Sequence, residues 1–175
     1  TLVPLDNSRD TTEYRIPVVV AIPGSRVVLV LAENRLAAHG DSGRHALALS
    51  RSVDDGASFG PAKNILRDPN GTVDGLNLGA AIWDGKQKRL SVLFNECFHL
   101  NAVGKGCGAS GQLLQIDTDD FGTTWGAVTN HTESLLTQGY KQLNPGPGTG
   151  VQLQFQTDKS KNGRLLMPAW GSKIA

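Results

Sequence analysis

Ser52-Val53-Asp54-Asp55-Gly56-Ala57-Ser58-Phe59 returns 66 residues later as Thr118-Asp119-Asp120-Phe121-Gly122-Thr123-Thr124-Trp125. Both copies follow one pattern: a hydroxyl residue, an Asp two positions on, a Gly two further, a second hydroxyl two further, then an aromatic. Each position has a physical task in a tight hairpin. The Asp accepts backbone N–H bonds across the turn, and the Gly admits positive φ. The second hydroxyl residue closes the turn, and the aromatic ring is buried between strands.

Around these turns, apolar residues come in runs of about five to eight, rich in Val, Ile and Leu and ended by Gly, Pro, Asn or Asp, which is strand punctuation. The first unit reads Tyr14–Ile22, a turn at Pro23-Gly24-Ser25, Arg26–Glu33, His45–Val53, the turn at Asp54–Ala57, and a strand from Ser58 to Leu66. The second reads Leu78–Trp83, a turn at Asp84–Lys88, Arg89–Phe98, Gln112–Asp117, the turn at Asp119–Thr123, and a strand from Thr124. A third unit starts with Val151–Gln156, turns at Asp158–Gly163 and enters Arg164–Ala169. Four short antiparallel strands per repeat predict an all-β propeller, with blade 1 near 14–66, blade 2 near 77–130 and the start of blade 3 near 151–175. A two-sheet sandwich is the rival, but it does not account for the repeated turn. Two and a half blades leave an apolar face uncovered, so the expectation is an incomplete propeller awaiting further blades.

Lys+Arg number 17 against Asp+Glu 16, a balance that gives no electrostatic case for nucleic acid or an anionic membrane surface. The stretch Ile16–Leu31 is the longest membrane-span candidate, and Pro17, Pro23, Gly24, Ser25 and Arg26 break it. Thr1 is not an initiator Met and no signal-peptide pattern follows it, which reads as a mature or trimmed terminus. Two sequons, Asn70-Gly71-Thr72 and Asn130-His131-Thr132, fit a glycosylated luminal or extracellular protein. Cys97 and Cys107 are placed to close a loop as a disulfide, worth about 3 kcal/mol in the chain-entropy picture. Two free thiols are the alternative; a zinc site with His99 lacks a fourth ligand.

Tyr14-Arg15-Ile16-Pro17 sets an Arg on the first strand among residues expected to be buried, and a buried Arg requires an anionic partner. Glu33-Asn34-Arg35 sets a second at the end of the adjacent strand. Pairing would bring both to one rim, where two guanidinium forks can grip one carboxylate. A structural salt bridge is the competing role. Asp41 lies six residues after Arg35 in the loop Leu36–Gly43, where an ordinary turn Asp is the alternative. Asp117-x-Asp119 opens like a calcium loop, but Val128 stands where a bidentate Glu is needed, so no metal is expected.

Tyr-Arg-Ile-Pro, then Glu-x-Arg, then Asp41, then a repeated turn of the Asp-box type resembles the sialidase family, whose catalytic domain is a six-bladed β-propeller. Asp74-Gly75-Leu76-Asn77-Leu78-Gly79-Ala80, Pro145-Gly146-Pro147-Gly148-Thr149-Gly150 with Gln152, the Cys97–Cys107 separation and the sequon at Asn130 resemble the animal lysosomal sialidases in particular. By motif, Arg15 and Arg35 then look like two members of the arginine triad that binds the sialate carboxylate. Asp41 looks like the general acid/base. Asn77 and Asp74 match positions near the 4-hydroxyl and N-acetyl side. Glu33 either orients Arg35 or touches that hydroxyl. Trp170 resembles an aromatic that meets the glycerol or acyl group, with blade core as its alternative.

The resemblance implies retaining exo-α-sialidase chemistry on sialylated glycoproteins, glycolipids or oligosaccharides, without cofactor, with a Tyr nucleophile. That Tyr, its Glu and the third Arg belong to later blades, so the chain alone is expected to be inactive and to pair with the C-terminal half of the same propeller. A lysosomal or secreted location is implied, with a carboxypeptidase-type protective protein as partner if lysosomal. A non-catalytic sialic-acid-binding or structural propeller and a trans-sialidase are the alternatives.

Overall fold

The computed structural model describes residues 13–36, 45–67, 75–97 and 112–173. The elements, in chain order, are β1 (Glu13–Ala21), β2 (Val28–Arg35), β3 (His45–Ser52), β4 (Lys63–Leu66), β5 (Gly75–Asp84), β6 (Arg89–Cys97), β7 (Gln112–Thr118), β8 (Thr129–Asn130), α1 (Thr132–Thr137), β9 (Tyr140–Pro145), β10 (Gly148–Thr149), β11 (Val151–Gln152), β12 (Leu165–Leu166) and β13 (Ala169–Lys173). β1 to β4 form one antiparallel sheet in sequence order, and β5 to β8 form a second, with β10 added to β5. β10 runs parallel to β5, whereas β9 pairs with β13 and β11 with β12 in two antiparallel ribbons.

One apolar cluster joins the two sheets. Leu29, Leu31, Leu47, Leu90, Val92 and Phe94 are wholly buried in it. Each such side chain contributes roughly 1.5–3 kcal/mol relative to exposure. Trp83 and Phe121 pack against this cluster, their ring centroids 5.7 Å apart.

Both aspartate turns close in the same way. Ser52 Oγ donates to Asp54 Oδ1 (2.7 Å) and accepts the Gly56 N–H (2.9 Å). Asp54 then takes the Ser58 N–H (2.9 Å) and hydroxyl (2.5 Å). In the second copy Thr118, Asp120, Gly122 and Thr124 repeat these bonds at 2.8, 3.0, 2.8 and 2.6 Å. Asp55 and Phe121 sit at φ 63° and 60°, with Gly56 and Gly122 at 85° and 81° after them. The second turn also reaches the first sheet, because Arg51 Nε donates to the Phe121 carbonyl at 2.9 Å.

The strands differ from the sequence expectation at their fourth positions and beyond. β4 starts at Lys63 rather than Ser58, because after the turn the chain first spans Gly60 and Pro61. β8 is two residues long and is followed by α1, a helix with no buried residue and hence no apolar periodicity to announce it. β9 carries only one aliphatic residue, Leu143, among Tyr, Lys, Gln, Asn and Pro, so a hydrophobic run does not mark it. The expected strand Val151–Gln156 shrinks to β11, and Phe155 stands exposed at φ 58°.

Gln152 locks this later segment onto the second sheet. Its amide donates to Asp84 Oδ1 (2.7 Å) and accepts the Gly85 N–H (3.0 Å). Val151 and Leu166 beside this lock keep 57% and 50% of their surface exposed, and Trp170 on β13 keeps 64%.

The Asp54 and Asp120 carboxyls are both held down at about 2 by the hydroxyl and backbone donors of their own turns. A depressed value contributes stability above the ordinary 3.8, and that contribution is lost as pH falls toward 2. Thermal melts between pH 7 and pH 2 are therefore expected to show a loss of stability below about pH 4. The Asp54→Asn/Asp120→Asn double variant should lose less across that window, and an identical slope in the two proteins would contradict the assignment.

Candidate functional site

β1 bulges where the candidate site begins. Its register against β2 runs Glu13↔Arg35 and Arg15↔Glu33, then shifts and resumes at Val18↔Leu31. Ile16, at the shift, has φ 54°. A β-branched residue there costs on the order of 1–3 kcal/mol, and a bulge re-aims the side chain beside it. Arg15 is the residue before the bulge, with 44% of its side chain exposed and its Nε 3.9 Å from Glu13.

Cross-strand partners share a sheet face, as do residues two apart. Glu13, Arg15, Glu33 and Arg35 therefore lie on one face, and His45, opposite Arg35 on β3, joins them. That face meets β5 of the second sheet. Arg35 Nη2 donates to Glu33 Oε2 at 3.0 Å and its Nε does so at 3.3 Å. The other oxygen, Oε1, accepts the Leu78 N–H across the sheets at 3.1 Å. His45 Nδ1 lies 2.9 Å from Asn77 Oδ1 and 3.8 Å from Glu33 Oε2.

The β5 register shifts between Leu78 and Ala80, beside that inter-sheet bond. Gly79 at the shift packs against Pro145: a Cβ there would stand 2.6 Å from the Pro145 carbonyl oxygen and closer still to its ring. A side chain at residue 79 would thus push apart the β5 bulge and the end of β9.

Glu33 is 3% exposed and Arg35 is 2%. Burial pushes the Glu33 carboxyl up from the ordinary glutamate value, while Arg35, His45 and the Leu78 N–H pull it down and only partly offset that. The pair is a buried charge couple that holds one guanidinium in a fixed pose, next to a second, exposed guanidinium at Arg15.

Of the residues singled out in the sequence, Arg15, Glu33, Arg35 and Asn77 are gathered at this end of the two sheets. Trp170 is placed apart from them in the chain's later ribbon, on β13 opposite Asn144, and is 64% exposed. Asn130 ends β8, exposed, with its amide nitrogen donating to Gln112 Oε1. Asp41, Asp74, Asn70 and Cys107, and the Cys97 side chain, lie outside the described residues. His45 was not anticipated; the available signal was a polar residue heading the otherwise apolar strand Ala46–Leu49, in register with Arg35. Among the described residues no group of three His, Cys, Asp or Glu is placed to hold a metal ion.

No family model matches the chain. Human Sialidase-3 is 29% identical over 168 residues, covering 90% of this chain and 36% of that protein. A Trypanosoma rangeli sialidase, solved in complex with sialic acid, superposes with a TM-score of 0.70 at 18% identity over 98% of this chain and 29% of its own. The leech intramolecular trans-sialidase superposes at 0.78 with 13% identity, over 99% of this chain and 42% of its own. It is sialidases that the chain is similar to, both among the curated sequences and among the solved structures. It spans between 33% and 38% of the length of the mammalian Sialidase-3 and Sialidase-4 sequences it matches.

Replacing Arg35 by Met leaves a carboxylate buried without its cation, which is expected to cost about 3–5 kcal/mol at pH 7. Glu33 then rises further, and a raised group contributes its stability below the unfolded value and loses it as pH rises. Urea unfolding should accordingly show a smaller penalty at pH 5 than at pH 7; equal penalties would mean that Glu33 does not carry the buried charge.

Proposed function

We propose that the chain is part of an exo-α-sialidase built as a six-bladed β-propeller, cleaving terminal sialic acid from glycoconjugates with retention. The observation that carries the reading is the pairing of Arg15 with Glu33 beside Arg35, on one face at one end of a sheet of the sialidase fold. Two guanidiniums, one fixed by a buried carboxylate and one exposed at a bulge, suit the planar carboxylate of a sialic acid.

In this reading Arg15 and Arg35 bind the carboxylate, and Glu33 fixes the pose of the Arg35 guanidinium before the substrate arrives. Positive charge develops on the sugar ring in an oxocarbenium-like transition state, and the bound carboxylate is held beside it. Asp41 protonates the departing glycosidic oxygen and later deprotonates the incoming water. Asn77 and Asp74 meet the 4-hydroxyl and acyl side, and Trp170 meets the glycerol or acyl group. The Tyr nucleophile, its Glu and the third Arg come from the C-terminal part of the same propeller. Val151, Leu166 and Trp170 supply the exposed apolar surface that this part would cover.

Sialylated glycoproteins, glycolipids or oligosaccharides are the substrate class. The site chemistry also serves a trans-sialidase, the activity named for the leech neighbour. A lysosomal or secreted setting, glycans on Asn70 and Asn130, a Cys97–Cys107 disulfide and, in the lysosome, a carboxypeptidase-type protective partner complete the proposal.

The test is release of fluorophore from 4-methylumbelliferyl sialic acid at pH 4.5 by the native protein. Arg15→Ala is expected to lower kcat/KM roughly 100-fold or more, the scale of losing one ionic hydrogen-bonded contact. Asp41→Ala should abolish most of kcat. Native activity untouched by both variants would contradict the site, and no release by the native protein would favour the binding propeller. Transfer of sialic acid to an acceptor sugar instead of water would mark a trans-sialidase.

A further inference from the structure

The imidazole of His45 is placed oddly for a residue with no function. It is 4% exposed at the junction of the two sheets, where an apolar side chain would be buried without polar cost. Its Nδ1 meets Asn77 Oδ1 at 2.9 Å, while its Nε2 is buried and has no hydrogen-bond partner. An amide oxygen only accepts, so Nδ1 carries a hydrogen in this contact. The Glu33 carboxylate is nearby but at 3.8 Å from Nδ1, beyond hydrogen-bond reach, and its oxygens are taken by Arg35 and Leu78. The Nδ1 donor of His45 is therefore directed at the side chain of Asn77, and the fold tolerates an orphaned ring nitrogen to keep it there.

We propose that His45 is a positioning residue for sialoside binding: by donating from Nδ1 it fixes the Asn77 amide with its oxygen turned to the imidazole and its NH2 end turned away. This rests on the reading of Asn77 as a substrate contact. An amide is nearly symmetric in shape and opposite in hydrogen-bonding at its two ends. Fixing its rotation decides whether the site offers a donor or an acceptor to the sugar. His45 is the cross-strand partner of Arg35, and Glu33 lies two residues from Arg35 on the same face, so the strand pairing that orders the arginine also orders the amide.

Asn and Gln at residue 45 separate this from simple packing. The Asn amide nitrogen falls where Nδ1 stands, and the Gln nitrogen falls near Nε2. In the native full-length protein, His45→Asn is expected to keep KM for the fluorogenic sialoside within about twofold. His45→Gln should raise it about tenfold with kcat little changed, the pattern of lost binding rather than lost chemistry. In an Asn77→Ala background the two variants should become equivalent, because the residue they act through is gone. Equal KM for the two variants, or a difference that persists without Asn77, overturns the proposal.

A second readout does not need turnover. Nitrogen–proton correlation spectra of histidine-labelled wild-type protein should show a hydrogen on His45 Nδ1, with the Nδ1 resonance displaced in Asn77→Ala. A bare Nδ1 in the wild-type protein overturns the proposal even if the substituted proteins do not fold, and an unmoved Nδ1 resonance in folded Asn77→Ala overturns it as well. An inactive native protein with the expected Nδ1 hydrogen and response would fault the sialidase reading and leave the His45–Asn77 link standing.

Discussion

The Glu33 carboxylate faces two demands at once. It is nearly excluded from water, so its charge is costly, and it is the counter-ion for Arg35, so its charge is required. The structure meets both by sharing the two oxygens, one for the guanidinium within β2 and the other for the Leu78 N–H of β5. The second bond makes the ion pair an inter-sheet tie. Arg35 cannot move without loosening the seam between the sheets, and that coupling gives the site a rigid floor. Arg15, across the strand pair and exposed beside the Ile16 bulge, is the adaptable member.

The opposite end of the same seam is closed by different chemistry. Phe121 of the second aspartate turn stacks on Trp83, while its carbonyl takes the Arg51 guanidinium from the first sheet. Gly122 leaves room for Leu49, which a Cβ there would meet at 2.8 Å. Between the two ends lies the shared aliphatic core. A polar tie at the site, apolar packing in the middle and a hydrogen-bonded turn at the far end fix the relative pose of the sheets. A binding face assembled from both of them needs that fixity.

Local chemistry was legible in the sequence wherever it was repeated or strongly patterned. The two aspartate turns fixed the hairpin positions because Ser52/Thr118, Asp54/Asp120 and Gly56/Gly122 each have one physical role. β2, β3 and β6 were readable from their apolar runs. The Glu33–Arg35 spacing was readable as a same-face pair, since i and i+2 share a face. Three things were not legible. α1 buries no residue and so has no periodicity. β9 is held by pairing with β13 and not by an apolar run of its own. His45 meets Asn77, thirty-two positions away, and no local pattern marks such a contact. The burial of Arg35 behind Glu33, as against the exposure of Arg15, also depends on how β5 docks.

A crystal structure of the native protein with sialic acid bound tests the central claim most directly, namely that the buried Glu33–Arg35 pair is a prearranged carboxylate receptor. The account predicts the sugar carboxylate within hydrogen-bond distance of both Arg15 and Arg35, with Glu33 still accepting the Leu78 N–H. A sugar bound elsewhere, or an Arg35 that must leave Glu33 to reach it, would contradict that claim.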